Sequence, residues 1–298
     1  MTGRTDLNVA VLGAGMIGID LASRIGRSAS LKCGLVVGRD DQSLGLRRAA
    51  ELGWATTAGG IDALVDAPRP FDIVFDATNA LSHAEHWARL EPLGTTLIDL
   101  TPSRVGHMVA PTVNVADALQ CGNVNLISCG GQASIPILHA LTRQYEPDYI
   151  EVVTTAASPS VGRATRLNLD EYIATTQEAV RTFTGVCDVK AIVNLSPARP
   201  PAVFRVAMSL LVPGATLEPV RALVDAAAEE VRAYTPGYRV TACAVTDERV
   251  FVAVEVTASG DRIPRYAGNL DIINSAAVLI AEQYAAGREP VSAAKELT

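Results

Sequence analysis

The chain has no basic surplus: 25 Lys plus Arg stand against 32 Asp plus Glu, a formal charge of −7. Without such a surplus there is little to grip a phosphate backbone, so nucleic acid is not an expected partner. Long apolar runs are also missing. The start, Met1-Thr2-Gly3-Arg4-Thr5-Asp6, is polar, and glycines soon interrupt the apolar residues that follow. Neither a signal segment nor a membrane span is expected, and the expected compartment is the cytoplasm. Cysteine is scarce. The five present (Cys33, Cys121, Cys129, Cys187, Cys243) are odd in number and form no CxxC pair, which argues for free thiols in a reducing compartment. No repeat of twenty to fifty residues and no low-complexity tract occurs, which excludes solenoids and propellers. What remains is 298 residues, 49% hydrophobic and 19% charged. That describes one large globular domain or two closely joined ones, and excludes a disordered chain or a fibre.

Short apolar runs alternate with helical patterns through the first half. Strands are expected at 7–12, 33–37, 71–75, 95–98 and 124–127, with helices at 17–25, 43–52 and 82–91 between them. Such alternation is the mark of βαβ units on a parallel sheet, so this half is expected to be a doubly wound, Rossmann-type nucleotide-binding domain over 1–128. After Ser128 the strands lengthen, at 149–156, 191–195, 202–211, 239–245 and 249–256, around amphipathic helices at 169–183 and 216–234. In Val250-Phe251-Val252-Ala253-Val254-Glu255-Val256 the valines recur at every second position, as in a half-buried antiparallel strand. An α+β catalytic and dimerisation domain is expected over 129–268. The last helix, about 270–285 within a segment 269–287, is apolar on more than one side and is expected to return, buried, to the nucleotide domain. The tail from Gly287 onward is expected to be loose.

Gly13-Ala14-Gly15-Met16-Ile17-Gly18 follows the first strand and opens the first helix, the context in which GxGxxG marks a dinucleotide site. Gly13 permits the turn, Gly15 lets backbone approach a pyrophosphate, Gly18 lets helix and strand touch, and Met16 and Ile17 sit at the helix N-terminus. At the end of the second strand, Asp40 is a candidate for the ribose hydroxyls of NAD and Arg39 for the extra phosphate of NADP; the two readings stay open. Thr78 and Asn79, at the end of a later strand, are candidates for the nicotinamide side.

Cys129, in Ser128-Cys129-Gly130-Gly131-Gln132-Ala133, lies where a strand ends and a helix over 135–144 begins. A helix N-terminus favours a thiolate, and the two glycines are expected to turn backbone N–H groups toward a developing oxyanion. A nucleophilic thiol facing a nicotinamide adds to an aldehyde, loses hydride and leaves a thioester. The other four cysteines read as small buried hydrophobes. His139 is ten residues down that helix and reads as a surface or packing residue. His83 and His86, i and i+3 around Glu85, read as a solvated helix face, and no metal is expected.

These motifs resemble one family: the CoA-acylating acetaldehyde dehydrogenases that work beside a pyruvate-type aldolase. The likeness runs from Asn8 to about Tyr284 and rests on GAGMIG at 13–18, FDAT at 75–78, IDLTP at 98–102, CGGQA at 129–133, TRLNLDE at 165–171 and YAGNLDI at 266–272. It implies Cys129 as the acyl-carrying nucleophile, Asn168 as a polar group near the thioester and Asn269 as a nicotinamide contact. It also implies a fold like glyceraldehyde-phosphate dehydrogenase, NAD or NADP as cofactor, CoA as co-substrate, a homodimer and an aldolase partner. Two departures stand out. The family's catalytic acid is replaced near Val206, and a long insertion is reduced here to the short loop around Asp247. Loss of a general base costs about 10²–10⁴ in rate. Arg205, Asp247 and Glu248 are candidates to substitute.

The leading expectation is a nicotinamide-dependent oxidoreductase interconverting an aldehyde and an acyl-CoA. One alternative keeps the chemistry with another acyl carrier, phosphate or a carrier protein; the lack of a clear basic cluster near Cys129 argues against phosphate, for which Arg163 and Arg166 are the candidates. The other is a nucleotide-binding partner protein that has lost dehydrogenase chemistry, which Val206 and the short loop favour and the Cys129 turn opposes.

Overall fold

The computed structural model describes residues 6–260 and 262–287; the side chains of residues 163 and 164 and the tail expected to be loose beyond Gly287 lie outside that description. In the first half the strands are β1 (Leu7–Leu12), β2 (Leu31–Val37), β3 (Thr56–Thr57), β4 (Ile73–Asp76), β5 (Thr96–Asp99), β6 (His107–Met108) and β7 (Asn123–Asn125). They form one sheet in the order β3-β2-β1-β4-β5-β7-β6, with every pairing parallel. Helices α1 (Met16–Ile25), α2 (Leu44–Glu51), α3 (Asp62–Val65), α4 (Ala80–Leu90) and α5 (Pro111–Ala118) make the crossovers. Both faces of this sheet are covered, so the central strands are near-continuous apolar runs; Val9, Ala10, Val11, Val74 and Phe75 are fully buried. The two-residue strands β3 and β6 and the helix α5, with Pro111 in its first turn, carry too short a period to be read in advance.

The second half contains α6 (Cys129–Thr142), β8 (Tyr149–Ala157), α7 (Arg163–Leu167), α8 (Leu169–Thr184), β9 (Val189–Ser196), β10 (Phe204–Leu211), α9 (Leu217–Arg232), β11 (Tyr238–Thr246) and β12 (Arg249–Val256). The sheet order is β11-β12-β10-β8-β9. All pairings are antiparallel except β8 with β9, which are parallel because α7 and α8 carry the chain back across. Val250, Val252, Val254 and Val256 alternate inward, and Phe204, Val206, Met208 and Leu210 do the same on β10, packing with α6 and α9 into one core. The final helix α10 (Gly268–Gly287) packs against α1, α5 and α6. Its Ile273, Ala276, Ala277, Ile280 and Ala281 join the core of the first sheet, while Ile272 joins that of the second.

Candidate active site

A cavity of about 310 Å³ opens at the C-terminal ends of β1, β4 and β5, within the size range of small-molecule sites. One wall is the glycine turn. Gly13 has φ +114°, and a Cβ there would lie 2.6 Å from the Ala77 carbonyl oxygen; a Cβ on Gly18 would lie 1.8 Å from the Gly13 oxygen. Both positions therefore require glycine. At Gly15 a Cβ would meet nothing within 4 Å, so space lies open in front of the α1 N-terminus, which has no side-chain cap and no acid in its first turn. Gly15, Met16 and Ile17 line the cavity, as do Thr78 and Asn79. The Thr78 hydroxyl donates to Asp76 and Asn79 caps α4 by accepting from Ser82 N, so both side chains are already oriented. Arg39 and Asp40 are exposed and off this cavity, Asp40 accepting from Gln42 N.

The opposite wall carries Cys129. Helix α6 starts at this residue, six positions earlier than the pattern indicated, because Ser128 caps it by accepting from Gly131 N at 2.9 Å. Ile127, just before the cap, has φ +65°, an uncommon conformation for a β-branched residue, held by the bond from its N–H to Asn125 Oδ1 at 2.8 Å. Two expectations are corrected here. Burial pushes the Cys129 thiol up to about 12 against a lowering bond from its own backbone N–H, in place of the lowered value that the helix start predicts. The two glycine N–H groups are not free for an oxyanion either. Gly131 N donates to the cap, and Gly130 N donates to the Tyr172 hydroxyl at 2.8 Å. A Cβ on Gly130 would lie 2.3 Å from Thr154 Oγ1 and 2.9 Å from Tyr172 Oη, so these hydroxyls press on the turn itself. Of the described residues lining the cavity, only Cys129 and Tyr172 have titratable side chains.

Asn168, between α7 and α8, is buried at the cavity wall. Asn269, in the first turn of α10, donates through Nδ2 to the Ser160 carbonyl at 3.0 Å, while its buried Oδ1 has no partner; buried Thr101 Oγ1 also has none. Cys129, Asn168, Asn269, Thr78 and the glycine turn, far apart in sequence, thus face one space. Arg166 is committed to its own loop, donating to the Val161 carbonyl and to Ser158.

Beneath the cavity lies a network that the pattern of the sequence did not indicate. His83 and His86 are buried, not solvated, because α4 lays them against the carboxylate that ends β4: Asp76 bonds to His83 Nδ1 at 2.9 Å and His86 Nδ1 at 2.7 Å. His83 also lies 3.4 Å from Asp99, which accepts from Thr101 N and from Asn125 Nδ2, both at 2.7 Å. Asp76 accepts from Thr78 N in turn. The acids at the ends of β4 and β5 thereby hold the three turns that line the cavity. Burial opposes ionisation of Asp76, but bonds from His83 and His86 hold its carboxyl well below the usual range, whereas burial pushes Asp99 up to about 6. Asp76, His83 and Asp99 bring three ligand-type atoms within 4.8 Å of one another, but those atoms already bond to each other and to the turns. His139 Nδ1 bonds to the Phe183 carbonyl, a packing role.

A relative from Streptomyces griseus bearing the name acetaldehyde dehydrogenase is 60% identical over 93% of this chain and 90% of its own length. The chain belongs to the acetaldehyde dehydrogenase family. Family relatives from Pectobacterium atrosepticum and Geobacillus stearothermophilus are 44% and 42% identical, over 93% and 94% of this chain and 97% and 96% of their own. Residues 129–264 match the model described as prokaryotic acetaldehyde dehydrogenase, dimerisation. In fold, the chain is similar to an aspartate semialdehyde dehydrogenase II from Vibrio cholerae, with a TM-score of 0.66 over 95% of this chain and 99% of that one, at 13% identity. In this family member Val206 is fully buried in the core of the second sheet, paired across strands with Thr154. None of the candidate substitutes reaches the cavity lining. Arg205 points to the other face and pairs with Glu255, and Asp247 and Glu248 form the tip of the β11–β12 hairpin. Among the described residues no helix is long and apolar enough to cross a membrane.

Proposed function

We propose that the chain is a nicotinamide-dependent, CoA-acylating aldehyde dehydrogenase that passes an acyl group through Cys129. The observation that carries this reading is the placement of Cys129 across one cavity from an open glycine turn, with Asn168 and Asn269 on the same walls. The residues fit a nicotinamide cofactor. Open space at Gly15 and the uncapped α1 terminus suit a pyrophosphate, and the unpartnered Asn269 Oδ1 suits an amide N–H donor such as a carboxamide. The same reading divides the chain into a nucleotide-binding unit, 1–128 with 269–287, and a catalytic and dimerisation unit, 129–268.

When bound, the cofactor supplies a hydride acceptor in the aldehyde-to-acyl direction. The Cys129 sulfur bonds to the aldehyde carbon as the S–H proton leaves to solvent. Hydride loss from that carbon restores C=O as a thioester, and the thiol of CoA takes the acyl group and frees Cys129. The apolar walls (Leu100, Ile127, Leu195, Phe204, Leu270) limit water that would hydrolyse the thioester. Homodimerisation through the second sheet is supported by the dimerisation model that matches 129–264. An aldolase partner delivering the aldehyde rests on the family resemblance alone.

The test is the absorbance of reduced nicotinamide with short aldehydes plus CoA, run with NAD and with NADP. Turnover that needs CoA and vanishes in Cys129→Ala is the expected result, and the preferred dinucleotide decides between Asp40 and Arg39. Activity that survives Cys129→Ala, or cofactor binding without turnover of any aldehyde, refutes the reading.

A further inference from the structure

An aldehyde attacked by a thiol leaves a negative oxygen, and that oxygen needs a hydrogen-bond donor in a dry cavity. The donors expected at the start of α6 are spent, Gly130 N on Tyr172 and Gly131 N on Ser128. Ser128 is itself committed, its hydroxyl bonded to Thr176 Oγ1 at 2.8 Å. Asn269 Nδ2 is held by the Ser160 carbonyl. Tyr172 is different. Its hydroxyl accepts from Gly130 N, sits with Thr154 Oγ1 against Gly130, and shares the cavity lining with Cys129, Thr154 and Ser128. Because Gly130 N occupies one lone pair of that oxygen, the hydroxyl proton is left to point at another acceptor. Burial raises the phenol above its ordinary range, so it stays protonated and able to donate at neutral pH.

We propose that the Tyr172 hydroxyl is the catalytic donor to the carbonyl oxygen of the substrate bound at Cys129. The proposal rests on the dehydrogenase reading and deepens it. As the C–S bond forms, the C=O electron pair moves onto oxygen and Tyr172 O–H donates to it. As hydride is lost from that carbon, the C=O bond re-forms and the hydroxyl's hold on the oxygen weakens. The tyrosine keeps its proton throughout, and the thiol proton leaves to solvent. Among the described residues the titratable group facing Tyr172 from α6 is Cys129; β8 offers Thr154 and the turn before α6 offers Ser128, both uncharged. Asp170 and Glu171, on its own helix, are off the cavity lining.

The experiment compares the dimeric wild-type enzyme with Tyr172→Phe and with Tyr172→3,5-difluorotyrosine, reading aldehyde oxidation with CoA and the rate of Cys129 alkylation by iodoacetamide. In Tyr172→Phe, kcat is expected to fall about 10²-fold or more, the cost of one oxyanion donor, while alkylation of Cys129 and KM for the aldehyde change little. The difluoro variant keeps the Gly130 bond but has a more acidic phenol, so its alkaline loss of activity is expected at lower pH than in the wild type. Ionisation of Cys129 is common to both proteins and does not produce that difference. Turnover of Tyr172→Phe within about threefold of wild type, below the effect of any oxyanion donor, overturns the proposal and leaves the dehydrogenase reading standing. Superimposable pH profiles for the difluoro variant and wild type do the same, and they decide the matter if Tyr172→Phe does not fold. A wild type with no CoA-dependent turnover overturns both.

Discussion

Arg24 is the joint between the first and last helices, and replacing it by Met tests that role. Its Nε donates to Asp20 at 2.6 Å, Nη2 to Asp271 at 2.5 Å and Nη1 to Ser275 at 2.9 Å. Asp20 is 1% and Asp271 0% exposed, so the variant keeps the volume but leaves two buried carboxylates near each other with no cation. Stripping the partner from a buried ion pair costs about 3–5 kcal/mol, a factor of about 10²–10³ or more in the unfolding equilibrium. Bonds from Asn274 to Asp20 and from Ser259 to Asp271 remain, which places the expectation near the lower figure. With m-values of about 1–3 kcal/mol/M, the urea midpoint should fall by about 1 M or more at pH 8. Because Asn274 also donates to the Ile17 carbonyl and Asn269 lies two residues before Asp271, KM for the cofactor should rise more than KM for the aldehyde. A midpoint within error of wild type would refute this account.

Gly15→Val places its side chain in open space, so it should fold normally yet raise KM for the cofactor at least tenfold, whereas Gly18→Ala, whose Cβ meets the Gly13 oxygen at 1.8 Å, should lower the melting temperature. Equal melting curves for the two variants would contradict the turn geometry. The buried acid–histidine network should make stability fall as pH rises. Burial works against the charge on His83, but its bond to Asp76 and the nearby Asp99 raise its pKa, so its contribution is complete below about 6.5 and is lost above that. Asp99, pushed up to about 6, loses its contribution as pH climbs from the ordinary carboxylate range through that value. Urea midpoints should decline from pH 4.5 to 8 in the wild type, and Asp99→Asn should remove the part below about pH 6.5. In the cofactor-free protein, with its thiol pushed up to about 12, Cys129 should alkylate more slowly at pH 7.5 than the exposed Cys187; mass spectrometry of the labelled peptides reads the order directly.

Much was legible in the residues alone, wherever a local rule carries the information. The 3.6 and 2.0 periods marked most helices and strands within a residue or two, β12 among them. The glycine turn announced itself because only glycine tolerates its φ and close contacts, and strand–helix alternation announced the parallel sheet. Motif likeness pointed to Cys129, Asn168 and Asn269 before any geometry was known. Local rules miss what depends on partners distant in the chain. His83 and His86 looked like a solvated helix face because their ligands, Asp76 and Asp99, sit on strands that only the folded sheet brings under α4. The N–H groups after Cys129 looked free because nothing nearby in sequence says that Tyr172, forty-two residues on, takes one of them. The thiol looked acidic because helix polarity is a local property, whereas desolvation depends on everything packed around it. The sequence determined most of the elements, the glycine turn and the candidate thiol; tertiary structure decided which polar groups are spent on the fold and which remain for a ligand, since burial and hydrogen-bond partnership are properties of the whole packed chain.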